Sequence, residues 1–188
     1  MPTISKIQSF GLPVGSVIQT QTDFDADAVL HTNTDSSQPE TILSASITPT
    51  NANHKILVMG LIHVGVLYSS RSGTLHYIGC RLFRGNTEIG KPSNNDTMTS
   101  VHGADASGGR LAHSVMAGGT AMSSKPTFIP FHFVDSPNTT SATTYNVKGF
   151  IEQYNGQYTM IVNGSGYRYN NDEQVLASSN LTLMEIVA

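Results

Sequence analysis

Apolar and polar residues alternate along much of this chain, and turn-forming residues separate the alternating runs. In Ile42–Thr48, apolar residues alternate with serines. This alternation is typical of a β-strand with one side packed against a core. The run TFIPFHFVD at 127–135 reads as an aromatic strand, and its Pro130 requires an edge or bulge position. Asn155–Gly156 is a strong signal for a two-residue hairpin turn. The pattern predicts roughly eight to ten strands, and few segments have the apolar spacing of a helix.

Strands joined by turns, without alternating helices, predict an all-β protein. The fold that we expect is an antiparallel β-sandwich, and a two-sheet jelly roll fits a chain of 188 residues best. A chain of this length buries roughly 70% of its unfolded surface in a single core, so it needs no disulfide or metal staple. We assign residues 17–188 to the sandwich domain and residues 1–16 to an N-terminal arm.

Two predicted strands carry more apolar surface than one face of a sheet needs. The segment 55–68 is apolar on both faces, and the segment 127–135 places aromatic residues on both. Such a strand must be covered on both sides: the core of the domain is one cover, and a neighbouring subunit is a candidate for the second. Because three copies around an axis form a closed assembly, we predict a homotrimer. The predicted trimer interface consists of Ile56, Val58, Ile62, Val64, Phe131 and Phe133.

Charge and composition narrow the range of partners. Lys and Arg together number 10, against 13 for Asp and Glu, which gives a net charge of −3 and an isoelectric point near 6.1. A surface that binds nucleic acid needs a basic patch, and so few scattered lysines and arginines do not indicate one. No segment approaches the roughly 20 uninterrupted apolar residues that span a bilayer. We therefore expect no nucleic-acid partner and no membrane insertion.

Cysteine usage and the first residues predict where the chain folds. The single cysteine, Cys80, excludes a disulfide framework and any cysteine-based metal cluster. The N-terminal sequence lacks the basic stretch and the apolar run of a signal peptide. We therefore expect the protein to be made and folded in a reducing cytoplasm.

Signals for catalysis and metal binding are weak. Asp23, Asp25 and Asp27 alternate like the start of a calcium loop, but the glycine and glutamate that such a loop needs later are missing. The seven histidines include no pair at the i, i+4 spacing of zinc proteases, although strands can bring distant histidines together. Gly164–Gly166 does not have the spacing of a nucleophile elbow. We predict no catalytic residue, no metal site and no cofactor, and we expect no enzymatic activity.

Two polar stretches are candidates for ligand binding. Residues 91–109 are rich in Gly, Ser and Asn, which predicts a long exposed loop. The candidate ligand loops further along contain Tyr167, Tyr169, Asn170 and Asn171. Tyrosine rings can stack on sugar faces, while asparagine side chains can hydrogen-bond to sugar hydroxyls. Ordinary packing of tyrosines in a sheet is the competing interpretation.

An ordered set of short segments resembles a module common in phage virion proteins, especially those of cyanobacterial viruses, where it often ends a tail fibre. These segments are Gly11–Gln19, Ser46–Pro49, Asn53–Val58, Arg81–Gly90, Phe133–Pro137, Thr139–Tyr145 and Leu181–Ile186. The resemblance covers roughly residues 11–188. It implies a non-enzymatic structural module that is similar to the trimeric jelly rolls of the C1q/tumour-necrosis-factor type.

The resemblance also implies a place for the protein. The tail-fibre versions usually follow a long shaft, whereas only ten residues precede the module here. We therefore expect a virion protein, either a capsid decoration (cement) protein or a short tail fibre, that docks on other virion proteins through its arm. The candidate docking residues are Ile4, Ile7 and Phe10. The alternative is a receptor- or carbohydrate-binding module for host attachment, with a host surface glycan as its partner.

Overall fold

The computed structural model describes residues 11–31, 39–68, 76–90, 112–116, 127–152, 158–164 and 176–188. These ranges contain eleven β-strands and no helix, so the expected all-β class is confirmed. In chain order the strands are β1 (Val17–Asp25), β2 (Val29–His31), β3 (Glu40–Ile47), β4 (Lys55–Tyr68), β5 (His76–Arg84), β6 (Thr87–Ile89), β7 (Ala112–Met116), β8 (Thr127–Asp135), β9 (Thr143–Glu152), β10 (Tyr158–Val162) and β11 (Ser179–Ile186).

The strands form two antiparallel sheets. Sheet A has the order β1-β11-β4-β10-β2, and β8 also pairs with β4. Sheet B has the order β3-β9-β5-β6, and β7 also pairs with β5. Across the sandwich, β1 lies against β3 and β8 lies near β7. The two sheets therefore enclose one core between them.

The long strand β4 organises sheet A. Its residue Val58 pairs with Leu183 of β11 on one edge and with Phe133 of β8 on the other. Further along, Val64 pairs with Val162 of β10, while β8 still occupies the opposite edge. Strands β10 and β11 therefore lie end to end along the same edge of β4.

The same relation holds in sheet B. Strand β9 takes one edge of β5, and strands β6 and β7 share the other edge end to end. Counting each end-to-end pair as one strand, and β1 with β2 likewise, gives four strand positions in each sheet. The chain then visits the sheets in the order A, B, A, B, B, A, B, A, which is the winding of an eight-stranded jelly roll. The expected jelly roll is confirmed, and the three interrupted strands account for the higher strand count.

Alternate residues of the central strands fill the core. The fully buried residues with at most 2% exposure include Ile18, Leu43, Ile47, Ile56, Val58, Ile62, Val64, Leu82, Ile129, Tyr145, Val147, Met160, Leu181 and Leu183. Among the described residues, β8 pairs only with β4 and is thus an edge strand. The predicted edge position of Pro130 is therefore confirmed, because the proline nitrogen cannot donate to a further strand.

A buried carboxylate ties the loop before β4 to sheet A. Glu185 is fully buried, and its Oε1 accepts hydrogen bonds from the Thr50 backbone N (2.6 Å) and hydroxyl (2.7 Å), with His54 Nδ1 at 2.7 Å. Its Oε2 accepts a hydrogen bond from Gln19 Nε2 at 2.5 Å. Burial alone raises the pKa of the Glu185 carboxyl, but these hydrogen bonds outweigh burial and hold the pKa below its ordinary value. Glu185 is thus a charged structural group that fixes this end of the sandwich.

A second buried carboxylate joins the two sheets. Asp135 at the end of β8 accepts hydrogen bonds from Arg84 Nη1 to both of its oxygens (3.0 Å each) and from the Tyr145 hydroxyl (2.6 Å). Burial, followed by the hydrogen bond to Asp135, raises the pKa of the Tyr145 phenol. Because Asp135 belongs to sheet A and its two donors belong to sheet B, this ion pair fixes β8 against the opposite sheet.

Candidate functional site: an exposed apolar sheet face

The outer face of sheet A is apolar where β4 and β8 run side by side. Because side chains alternate along a strand, the even-numbered core positions of β4 leave Leu57, Met59, Leu61 and His63 on the outer side. The outward residues of β8 are Phe128, Pro130, His132 and Val134. We call these eight residues the β4/β8 face.

The antiparallel register places the two rows of this face opposite each other. Its four cross-strand pairs are Leu57 with Val134, Met59 with His132, Leu61 with Pro130, and His63 with Phe128. Met59 is 39% exposed, while Phe128 and Val134 are each 55% exposed. None of the eight residues is Asp, Glu, Lys or Arg. The face is therefore a two-strand apolar ribbon without a permanently charged side chain.

Neighbouring strands set the limit of the apolar ribbon. On β11, Met184 lies opposite Leu57 and extends the apolar surface by one residue. Beyond it the outward residues become polar, and the hydroxyls of Thr182 and Thr22 lie 3.2 Å apart on the surface. Phe24 on β1 is also exposed on this side of sheet A, but Asn180 on β11 lies between it and Leu61, so it stands apart from the β4/β8 ribbon.

His63 is the buried member of the face. Its side chain has no exposed surface, and its ring lies 4.9 Å from the Phe128 ring at an interplanar angle of 57°. Within the part of the chain that the structure describes, neither ring nitrogen has a hydrogen-bond partner. Burial lowers the pKa of the His63 imidazole, so the ring is neutral at pH 7. A polar ring without partners is costly to bury.

The outer face of sheet B has a different chemistry. The Ser44 hydroxyl donates to Asn146 Oδ1 at 2.8 Å, and the Ser46 and Thr144 hydroxyls lie 2.7 Å apart. The aromatic surface on this side is covered by cations: Lys148 Nζ lies 4.6 Å from the centre of the Phe83 ring, and the Arg81 guanidinium lies 5.0 Å from that of Phe150. Polar pairing of this kind is typical of a sheet face in contact with water.

The structure corrects the residues assigned to the trimer interface. Ile56, Val58, Ile62 and Val64 have no exposed surface, and Phe131 is 6% exposed, because all five point into the core between the sheets. Phe133 is partly buried against the same core. A side chain that is buried inside one subunit has no surface left for another. The excess apolar surface of these strands is carried instead by their outward residues.

The other predicted site residues fall outside the described ranges. These are the docking residues Ile4, Ile7 and Phe10 and the ligand-loop residues Tyr167, Tyr169, Asn170 and Asn171, and the whole stretch 91–109 belongs with them. Residues 11–16 of the predicted arm are described, and two of them form backbone hydrogen bonds with the end of the chain. The Gly15 N donates to the Val187 carbonyl at 2.8 Å, and the Val187 N donates to the Ser16 carbonyl at 2.9 Å. The last residues of the arm therefore lie against the end of β11.

The described residues contain neither a candidate metal cluster nor a candidate membrane-spanning helix. No group of three or more His, Cys, Asp and Glu side chains in these ranges is placed to hold a metal ion. None of their secondary structure is a helix with the length and hydrophobicity needed to span a bilayer.

Neither the protein-family models nor the curated proteins include a match to this chain. Among solved structures, the chain is similar to T=1 particles derived from infectious bursal virus (16% identity, TM-score 0.38) and to the infectious bursal disease virus VP2 subviral particle (16% identity, TM-score 0.39). All of this chain is covered in each case, but only 41% and 43% of the viral chains, so it spans about two fifths of their length. The assignment of the fold rests on the strand order described above.

Proposed function

We propose that this chain is a non-enzymatic structural protein of a phage virion, a homotrimeric jelly roll that docks on the virion surface through its N-terminal arm. It serves there as a capsid decoration protein or a short tail fibre. The observation that carries the proposal is the β4/β8 face, because monomeric proteins rarely leave a contiguous apolar face in contact with water. An assembly subunit has a use for such a face.

The positions of the resembling segments support the proposal. Asn53–Val58, Arg81–Gly90, Phe133–Pro137 and Leu181–Ile186 are far apart in sequence, yet the fold brings them to one end of the sandwich. The contacts that join them are the Arg84–Asp135 pair and the Glu185–His54 pair. The residues that carry the resemblance to the phage module therefore form one connected structural unit.

The arm leaves the domain from the same end. Val17 pairs with Ile186, which pairs with Lys55 at the start of β4. Residues 1–10 are therefore attached beside the connected unit, where they can reach a surface on which the domain stands. Ten extended residues span up to about 35 Å, which is enough to enter a neighbouring protein.

Localisation on intact particles tests the proposed function. Electron microscopy of phage particles labelled with an antibody against this chain should show the label on the particle, and its position separates head from tail. Particles without any label would overturn the virion role. For a decoration protein, particles that lack it should burst at a lower temperature or a milder osmotic shock than complete particles, and an unchanged shell would remove that assignment.

Removal of residues 1–10 tests the arm separately. The shortened protein should remain a soluble oligomer but should no longer attach to particles that lack the native protein. A variant with Ile4, Ile7 and Phe10 replaced by serine is the matched control, because it keeps the length of the arm and removes its apolar side chains. Retained attachment would mean that another surface docks on the virion.

Host attachment is the second candidate function, and one feature of the chain path favours it. Strand β10 ends at Val162, which pairs with Val64. Strand β11 begins at Ser179, and its next residue, Asn180, pairs with Leu61 on the same edge of β4. The predicted ligand residues lie within the connection between these two strands, a segment that the sandwich does not need for its strand order. Purified protein should then compete with phage for adsorption to host cells, and no competition at saturating protein would contradict this function.

A further inference from the structure

The β4/β8 face requires an occupant that carries no strong charge. Its exposed residues offer aliphatic, aromatic and imidazole surface, and its exposed large hydrophobic residues are Met59, Phe128 and Val134. A nucleic acid or an anionic lipid surface is recognised by cations, and an acidic or basic peptide is recognised by the opposite charge. None of these ligands finds a complementary group on this face.

A second copy of the chain does fit the chemistry of the face. The protein carries a net charge of −3, so two copies repel each other wherever their charged surfaces meet. The β4/β8 face is free of carboxylates, lysines and arginines, and two such faces can approach without repulsion. Apolar sheet faces pack against each other at about 10 Å.

The mode of contact follows from the edge of β8. Joining two sheets edge to edge would require a continuous row of free backbone donors and acceptors. Pro130, in the middle of β8, has no backbone N–H, and its ring lies on the outer face opposite Leu61. This proline interrupts strand addition and contributes apolar surface for packing against neighbouring copies.

We infer that the β4/β8 face is the surface through which copies of this chain associate, with the faces of the three subunits meeting around the symmetry axis of the proposed homotrimer. The inference rests on the self-association in the proposed function, and it is independent of where the protein lies on a particle. It assigns the contact to Leu57, Met59, Leu61, Phe128, Pro130 and Val134, with His132 at the centre.

Sedimentation velocity of charge variants tests this assignment. The wild-type protein should sediment as an oligomer at micromolar concentration. Met59→Glu and Val134→Glu should each weaken association at least about tenfold, because the new carboxylate must be buried or must repel its copy. The matched controls are Ser46→Glu and Thr144→Glu on the polar face of sheet B, and they should leave the oligomer intact. Circular dichroism confirms that every variant is folded.

Cross-linking gives a second measurement that does not depend on destabilising the oligomer. Val134→Cys should form cross-linked oligomers with a short bismaleimide, whereas Ser46→Cys should not. The native Cys80 is fully buried, and burial raises the pKa of its thiol to about 12, so it does not react under these conditions.

Three results would overturn the inference. They are a monomeric wild-type protein at high micromolar concentration, face variants that associate like the wild type, and dissociation caused by deleting residues 1–10 alone. The last result would show that the arm, and not the β4/β8 face, holds the copies together. A particle-bound monomer would contradict this inference but leave the virion role intact, whereas an oligomer absent from particles would contradict only the virion role.

Discussion

The two outer faces of this sandwich differ, although the same alternation of side chains builds both. On sheet B, the Ser46 and Thr144 hydroxyls pair with each other and the Lys148 ammonium covers an aromatic ring. On sheet A, the outward residues of β4 and β8 are apolar, and Phe128 and Val134 are more than half exposed. The core fixes only the inward side of each strand. The composition of the outward residues therefore depends on their surroundings, which are water for sheet B and, as inferred above, the apolar surface of another copy for sheet A.

The most damaging change removes the buried carboxylate that ties the loop before β4 to sheet A. Glu185→Leu leaves the buried donors of Gln19, Thr50 and His54 without an acceptor, so we expect a loss of about 3–5 kcal/mol in the free energy of unfolding. Chemical denaturation measures this loss. The matched control is Glu40→Leu, because the Glu40 side chain is 40% exposed beside His31, and it should cost less than about 1 kcal/mol. Equal losses for the two variants would contradict a structural role for the Glu185 network.

His63 gives the next largest effect, and its sign is opposite. His63→Leu removes a buried ring whose nitrogens lack partners in the described structure, so the folded state should gain about 1–3 kcal/mol. His132→Leu, on the exposed part of the same face, should change stability by less than about 0.5 kcal/mol. Destabilisation by His63→Leu would show that the imidazole makes a polar interaction in solution.

The same residue predicts how stability depends on pH. Because the pKa of His63 in the folded protein lies below its ordinary value of 6.5, the unfolded chain binds the proton first as the pH falls. Stability should therefore be complete above pH 6.5 and decline below it, and Glu185 should add a further decline below its ordinary pKa of 4.5. His63→Leu should flatten the first decline and leave the second. Thermal unfolding as a function of pH measures both, and an unchanged first decline in the variant would assign it to another group.

A smaller effect tests the cation on the sheet B face. Lys148→Met removes the ammonium over the Phe83 ring, and we expect a loss of about 0.5–1 kcal/mol in the stability of the subunit. Val134→Ser on the sheet A face is the counterpart, and under dilute, monomeric conditions it should cost less than about 0.5 kcal/mol because its side chain is exposed. The opposite ranking would mean that the β4/β8 face stabilises the isolated subunit.

The smallest effect comes from the hydroxyl pair. Ser46→Ala removes one partner of an exposed hydrogen bond, and the expected loss is about 0.5 kcal/mol or less. The substitution should leave sedimentation unchanged, since this face is predicted to stay in water. Stronger association of Ser46→Ala would contradict this, because it would show that removing one hydroxyl makes the sheet B face self-associate.

The sequence contains the local features of this fold but few of the long-range ones. The alternation in β3 and the edge position of Pro130 could be predicted, because both depend on neighbouring residues alone. The inward side of β4 could not, since Ile56 and Leu57 are equally apolar and only the packing of one side of β4 into the core between the sheets distinguishes them. Periodicity detected the excess apolar surface but placed it on the wrong side of the strand.

The buried networks were missed for a related reason. Glu185 and His54 are 131 positions apart, and no spacing rule connects a carboxylate and an imidazole over that distance. The interrupted strands are equally hidden, because β10 and β11 become one strand only when both pair with β4. Chemistry that depends on three-dimensional proximity has no signature in a single sequence.

The way in which two strands are interrupted has a consequence for evolution and for engineering. Besides the break between Val162 and Asn180, the chain departs from β6 at Ile89, opposite Leu82, and returns in β7 at Ala112, opposite Cys80. Because each departure and return are neighbours in space, doubling the intervening length costs only about 0.6 kcal/mol in closure entropy. New sequence can therefore be exchanged at these two places without moving a strand. The sequences of these two connecting segments can therefore diversify quickly while the strands of the sandwich stay constant.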